Sequence, residues 1–229
     1  MKAILLHHAG GDKYAFRNMQ QWLLPEIESI AFELPGRSDR ISEPFIKNID
    51  EAVDDIYEQL IKELPDKYCI IGNSMGVIIA FLLTNKLKEE NKSLPVHLFL
   101  ASRLSLDAYK NDLSLENVSS DDFRKVVQKY DGVPAQLLEH KELKEFYEPI
   151  LRADFKALQQ FNATFESVES IDIPATILVG NKDARNTTVE KAQGWKKFFT
   201  ADFEIKSFDG GHFFLYENEE AAKYIKSKI

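Results

Sequence analysis

Tyr68-Cys69-Ile70-Ile71-Gly72 is an unbroken apolar run, and Gly72-Asn73-Ser74-Met75-Gly76 continues it without a spacer. Residues 75–88 then start apolar and become charged, as a helix leaving a core does. A strand apolar at every position is buried on both faces, which is the situation of a parallel sheet covered by helices. The chain must therefore pass from a central strand into a helix within one very tight turn. The two glycines allow that turn's backbone segments to approach closely, and the serine between them takes a strained conformation.

The rest of the chain repeats the alternation. Residues 3–8, 29–34 and 96–101 and the run Ala175–Gly180 read as strands, and Phe203–Phe208, more alternating, reads as a strand near an edge. Between them, residues 50–64 place Val53, Ile56, Tyr57, Leu60, Ile61 and Leu64 on one helical stripe that Pro65 ends. Residues 189–199 and 217–229 are also expected as helices. Strands alternating with helices imply right-handed βαβ units: an α/β fold with a mostly parallel central sheet. Residues 104–164 contain no convincing strand. Within them, 119–130 starts with Ser119-x-x-Asp122, a capping-box-like pair, and 141–161 is a longer helix with Pro149 inside. This segment is expected as a helical insertion over the C-terminal edge of the sheet. A chain of 229 residues accommodates one such domain, 1–229, with the insertion.

Composition narrows the function. Hydrophobic residues at 44% and charged residues at 29% are those of a globular chain with a core. A net charge of −8 disfavours nucleic acid or an anionic membrane as a partner of the overall field. Cys69 is the single cysteine, so neither an internal disulfide nor a cysteine-rich metal site can form. In a buried strand it reads as a small core residue. The apolar start of the chain is too short for a secretion signal, and no stretch approaches the roughly 18 apolar residues of a membrane span. The expected location is cytoplasmic.

A serine raised above a sheet at a helix N-terminus is a nucleophile site, but serine needs a base to act. Of the histidines after Ser74, His97 falls inside a strand and His140 inside the insertion. His212, in Gly210-Gly211-His212-Phe213-Phe214, sits on a loop just past a strand and is the expected base. Asp183, just beyond Ala175–Gly180, is the expected acid that orients it. Asp172 lies at the wrong end of that strand, and Asp209 is close enough to His212 for a local turn role. The first strand runs into His8-Ala9-Gly10-Gly11, which suits the second donor of an oxyanion hole. The assigned donors are the Ala9 and Met75 N–H groups, with Gly10 N–H as the near alternative. His7 and His8 lie side by side on a strand end, point in opposite directions and have no companion ligands, so no metal is expected. Trp22 and Trp195 are expected to pack in the core.

These pieces together resemble the type II thioesterases, the stand-alone editing hydrolases of nonribosomal peptide and polyketide synthesis. The resemblance spans nearly the whole chain. It rests on Leu6-His7-His8-Ala9-Gly10-Gly11 with Phe16, Leu34-Pro35-Gly36-Arg37-Ser38-Asp39-Arg40, and Gly72-Asn73-Ser74-Met75-Gly76. It continues through Pro149-Ile150-Leu151-Arg152-Ala153-Asp154-Phe155, Gly180-Asn181-Lys182-Asp183, Gly194-Trp195 and Asp209-Gly210-Gly211-His212-Phe213-Phe214. It implies an α/β-hydrolase fold with a mobile helical lid, and the same triad of Ser74, Asp183 and His212. It further implies acyl or peptidyl carrier proteins bearing acyl-phosphopantetheine as partners, and no cofactor. The chain departs from the pattern at Asn73, where histidine is common, at His7, where proline is common, and at Ser38, where glycine is frequent. Phe146, Leu151, Phe155 and Phe161 are candidates for an acyl pocket under the lid, and Gly10 for a substrate contact. Arg103, Arg152 and Lys156 are candidates for a basic patch facing the carrier. Arg37 either faces the site entrance or braces a loop. The chain is expected to act as a monomer. The competing readings are a carboxylesterase or acyl-CoA thioesterase for small soluble substrates, and a silent binding scaffold.

Overall fold

The computed structural model describes residues 1–109, 119–129, 141–183 and 187–229; His140 and Tyr130 lie outside these. Six parallel strands form one sheet in the order β2-β1-β3-β4-β5-β6. They are β1 (Lys2–Leu6), β2 (Glu28–Ala31), β3 (Tyr68–Asn73), β4 (Leu98–Ala101), β5 (Ala175–Gly180) and β6 (Phe203–Phe208). Side chains of successive strand residues go to opposite faces, and two apolar clusters record this. Ile4, Leu6, Tyr68, Ile70, Leu98, Leu100, Ile177 and Val179 pack on one side. Ala3, Leu5, Cys69, Ile71, Phe99, Ala101 and Leu178 pack on the other. Double-sided burial is why β3, β4 and β5 read as continuous apolar runs. β6 lies at the edge, as its alternation predicted, with Lys206 and Ser207 exposed. Cys69 is buried, and burial pushes its thiol up to about 12, so it is inert as a nucleophile.

The helices flank the sheet: α1 (Arg17–Leu23), α2 (Ile49–Leu60), α3 (Met75–Glu89), α4 (Ser120–Lys129), α5 (Lys141–Thr164), α6 (Val189–Ala192), α7 (Phe214–Glu217) and α8 (Glu219–Lys228). Asn48 caps α2 by accepting from the Glu51 N–H. Three points differ from expectation. α1 was not anticipated; it is short and begins from a 3₁₀ turn, Lys13–Phe16, capped by Asp12. The expected helix over 189–199 is one α-turn, α6, followed by the 3₁₀ segment Gln193–Phe198. The expected C-terminal helix forms as α8, and the short α7 ahead of it was not anticipated; Asn218 leaves helical geometry between them and caps α8 through the Glu220 N–H. α5 runs through Pro149.

The strand order reverses at β1: the chain goes to β2 on one side and returns to β3 on the other. At such a switch point the loops leaving the C-terminal ends of the two central strands diverge and open a crevice. The loop after β1 carries Ala9 and Gly10, and the turn after β3 carries Ser74. Ligand access to the sheet is thereby directed to these two segments. Among the described residues no helix is long and apolar enough to cross a membrane.

Candidate active site

The turn at Ser74 is as tight as its sequence requires. Ser74 has φ 53° and ψ −108°, outside the basins that an L-residue favours, and it stands immediately before α3. A Cβ on Gly76 would lie 2.1 Å from the Leu6 carbonyl oxygen, and one on Gly72 would lie 2.5 Å from that of Gly76. Only glycine permits β1, β3 and α3 to cross at these distances. The Ser74 N–H donates to the Ala101 carbonyl at 2.9 Å, which fixes the turn to the end of β4.

His212 reaches the same end of β4 from far along the chain. Its carbonyl accepts from Ser102 Oγ at 2.7 Å, and Ser102 follows Ala101 directly. The backbones of residues 74 and 212 are thus held on adjacent residues. His212 Nδ1 is 3.0 Å from Asp183 Oδ2, and both side chains are almost wholly buried. The loops that carry them are laced together. Lys182 N–H donates to the Gly210 carbonyl at 2.9 Å, and Gly210 N–H donates to Asn181 Oδ1 at 3.2 Å. Asp209 pairs with Lys182 on the surface, across the two loops, and takes no part in the Asp183–His212 pair.

The loop after β1 closes as a turn, Gly11 N–H to the His8 carbonyl at 3.0 Å. Gly10, at φ 77°, donates its N–H to Asp154 Oδ2 at 2.7 Å. Asp154 is fully buried and also receives both Arg37 guanidinium nitrogens, at 2.7 and 2.8 Å. Arg37 therefore braces a loop and does not face the entrance; the buried carboxylate raises its pKa further above the usual arginine range. Sequence reasoning gave Asp154 no role. The available signal was one acid on the otherwise apolar stripe of Leu151, Phe155 and Leu158.

His7 and His8 do diverge. His7 Nε2 faces Glu33 Oε1 at 3.4 Å, whereas His8 Nδ1 bonds the Tyr216 hydroxyl at 2.7 Å. The Phe213 ring stands between His8 and His212, with centroids 4.7 and 5.1 Å away. Burial, and then the proximity of His7, His212 and Arg37, hold His8 well below the ordinary histidine value of 6.5. Unfolded, His8 takes a proton near pH 6.5; folded, it does not. The unfolded state then binds more protons below that pH, so stability falls as the solution is acidified from about 6.5. His8→Gln is expected to flatten the drop in melting temperature between about pH 6.5 and 5, followed by thermal melts across that range. Among the described residues no three His, Cys, Asp or Glu side chains lie together as metal ligands would.

The insertion residues divide. Leu151 is 4% exposed and lies against Gly10, where an added Cβ would be 2.2 Å from its Cδ2. Phe155 is half-buried, edge-on to Phe123, whereas Phe146 is 47% exposed. Phe161 packs against the main core beside Phe165. Arg152 is paired with Glu148 at 2.8 Å and lies over the Phe123 ring. The basic patch does not assemble as expected. Arg103 is 2% exposed, bonded to Asn162 and stacked on Tyr109; of the three, Lys156 alone is exposed. A guanidinium on a strand-end segment is drawn into the core by these acceptors.

The Thioesterase domain family model matches residues 2–229. The chain is 27% identical over 221 residues to the Gramicidin S biosynthesis protein GrsT of Aneurinibacillus migulanus, covering 96% of this chain and 84% of that one. It is 29% identical over 227 residues to the medium-chain S-acyl fatty acid synthase thioesterase of Homo sapiens, covering 97% and 84%. The crystal structure of ClbQ from the colibactin NRPS/PKS pathway superposes with a TM-score of 0.90 at 25% identity, covering 99% and 95%. The parallel sheet, the strained turn after its central strand and a match along almost every residue converge: the chain belongs to the thioesterase domain family, hydrolases of acyl thioesters on the α/β-hydrolase fold.

Proposed function

We propose that this thioesterase releases acyl groups from the phosphopantetheine arm of carrier proteins in nonribosomal peptide or polyketide synthesis, through an acyl-serine intermediate. The observation that carries the reading is the buried Asp183–His212 hydrogen bond whose histidine shares the end of β4 with the strained Ser74 turn. With the Asp183 carboxylate accepting, His212 Nδ1 holds the proton and Nε2 carries the lone pair of a general base. Nε2 takes the Ser74 proton as Oγ attacks the thioester carbonyl. The oxyanion is met by the N–H groups of Met75 and Ala9. The choice of Ala9 over Gly10 is supported by Gly10 N–H being committed to Asp154. The protonated His212 delivers its proton to the departing thiolate. It then takes a proton from water, which attacks the Ser74 ester, and returns that proton to Ser74 Oγ as the acid leaves. The insertion, residues 104–164, is the lid in this reading, and its Leu151 and Asp154 meet the loop after β1 at Gly10.

Thioester chemistry follows from the family. The carrier is supported by relatives named for gramicidin S biosynthesis, a fatty acid synthase and the colibactin pathway. A cytoplasmic location accords with such partners. The test compares one acyl group on a carrier protein, on coenzyme A and as an oxyester, with products read by mass spectrometry. The carrier substrate is expected to be preferred over the coenzyme A ester by at least about tenfold in kcat/KM, roughly 1.4 kcal/mol of transition-state binding. Equal turnover would replace this reading with that of a thioesterase for small soluble substrates. Labelling by a serine-directed phosphonate that Ser74→Ala abolishes would exclude the silent scaffold.

A further inference from the structure

The turn after β1 is held by three hydrogen bonds. Gly11 N–H goes to the His8 carbonyl, Gly10 N–H to Asp154 Oδ2, and the Gly11 carbonyl accepts from Arg37 Nη1 at 3.1 Å. Among the described residues the Ala9 N–H has no acceptor. Asp154 and Leu151 come from the same face of α5, three residues apart, so one turn of the insertion helix grips this loop through an ion pair and an apolar contact. Asp154 is 0% exposed and Arg37 is 1% exposed. A buried pair of this kind is a poor source of net stability, since desolvation offsets most of its attraction. Its distinctive property is direction, because each bond fixes the orientation of a peptide plane.

We propose that Asp154 is a positioning residue for hydrolysis. By accepting the Gly10 N–H, and by holding Arg37 on the Gly11 carbonyl, it orients the turn so that the Ala9 N–H points at the acyl oxygen. It contributes no group to the reaction itself. Because it belongs to the insertion, displacement of α5 would release Gly10 and strand Arg37, so the seating of the helix and the competence of the oxyanion hole are linked. The inference rests on the assignment of Ser74 and the Ala9 N–H above.

The test separates geometry from stability. The double variant Arg37→Met/Asp154→Leu removes both charges and fills their volume, so it is expected to fold with a melting temperature near that of the parent. Its kcat on a soluble acyl thioester, per phosphonate-titrated site, is expected to fall by about 10- to 100-fold with KM within about threefold. Arg37→Met/Asp154→Asn restores a neutral acceptor for the Gly10 N–H and is expected to regain part of that kcat, the Arg37 bond to the Gly11 carbonyl being still absent. Single Asp154→Asn, which keeps the acceptor and leaves Arg37 unpaired, should lower the melting temperature more than kcat per titrated site. Unchanged kcat in the Met/Leu variant would overturn the proposal, as would failure of the Met/Asn variant to improve on it. If the double variants do not fold, Asp154→Asn decides alone: a collapse of kcat per titrated site in the surviving folded protein overturns the role of the acceptor. Absence of phosphonate labelling in the parent would instead indict the assignment of Ser74, so the two failures are distinguishable.

Discussion

Ser74→Ala is expected to lower kcat for thioester hydrolysis by about 10⁴- to 10⁶-fold, leaving only what the oxyanion donors and binding supply. The fold should tolerate the change. Alanine has the same preference against φ 53° as serine, the side chain is small, and the turn is held by the Ser74 backbone N–H to Ala101 and by the two flanking glycines. The melting temperature should therefore stay within a few degrees, roughly the effect of 1 kcal/mol in a chain of this length. Initial rates on an acyl thioester, with a melt on the same sample, decide it. A folded variant that keeps more than about a hundredth of parental kcat would show that water is activated without covalent attack, and the acyl-serine route would fall.

The second large effect is on stability. Trp195 is fully buried, with Phe81, Phe198 and Phe199 around it at centroid distances of 5.9, 5.6 and 6.2 Å. Its indole N–H donates to the Arg103 carbonyl at 2.9 Å. Trp195→Ala opens a cavity that its three aromatic neighbours cannot close by simple rotation, and it orphans that carbonyl. The expected loss is about 3–5 kcal/mol, or roughly 6–20 °C in melting temperature. Trp195→Phe should lose less, because most of the volume stays and the hydrogen bond alone is removed. Urea unfolding of the pair measures both. A loss below about 1 kcal/mol for alanine would mean that the 3₁₀ segment collapses into the space.

The sheet and the Ser74 turn were legible because each is dictated locally. A strand buried on both faces needs an apolar residue at every position, and a site where any Cβ would lie 2.1 Å from the Leu6 carbonyl oxygen tolerates only Gly76. The Asp183–His212 pairing was legible from chain order and from loop glycines, since β5 and β6 are neighbours. α1 was missed because seven residues entered through a 3₁₀ turn show too little periodicity to stand out. Asp154 was missed for a different reason. Its significance lies in Arg37 and Gly10, more than a hundred positions away, and no local pattern reports a partner at that separation. Arg103 was misplaced because a lone cation in sequence reads as surface. Asn162 and Tyr109 turn it inward, and neither announces itself as its acceptor.

The strand order also sets when this enzyme comes alive during synthesis. β1, β2, β3 and β4 all lie within the first 101 residues, so the turn bearing Ser74 can be built from an emerging chain. Asp183 and His212 follow β5 and β6, which come after all four of these strands in the chain. On the proposed triad, a fragment ending before β5 would keep the Ser74 turn and lack both the base and the acid that orients it.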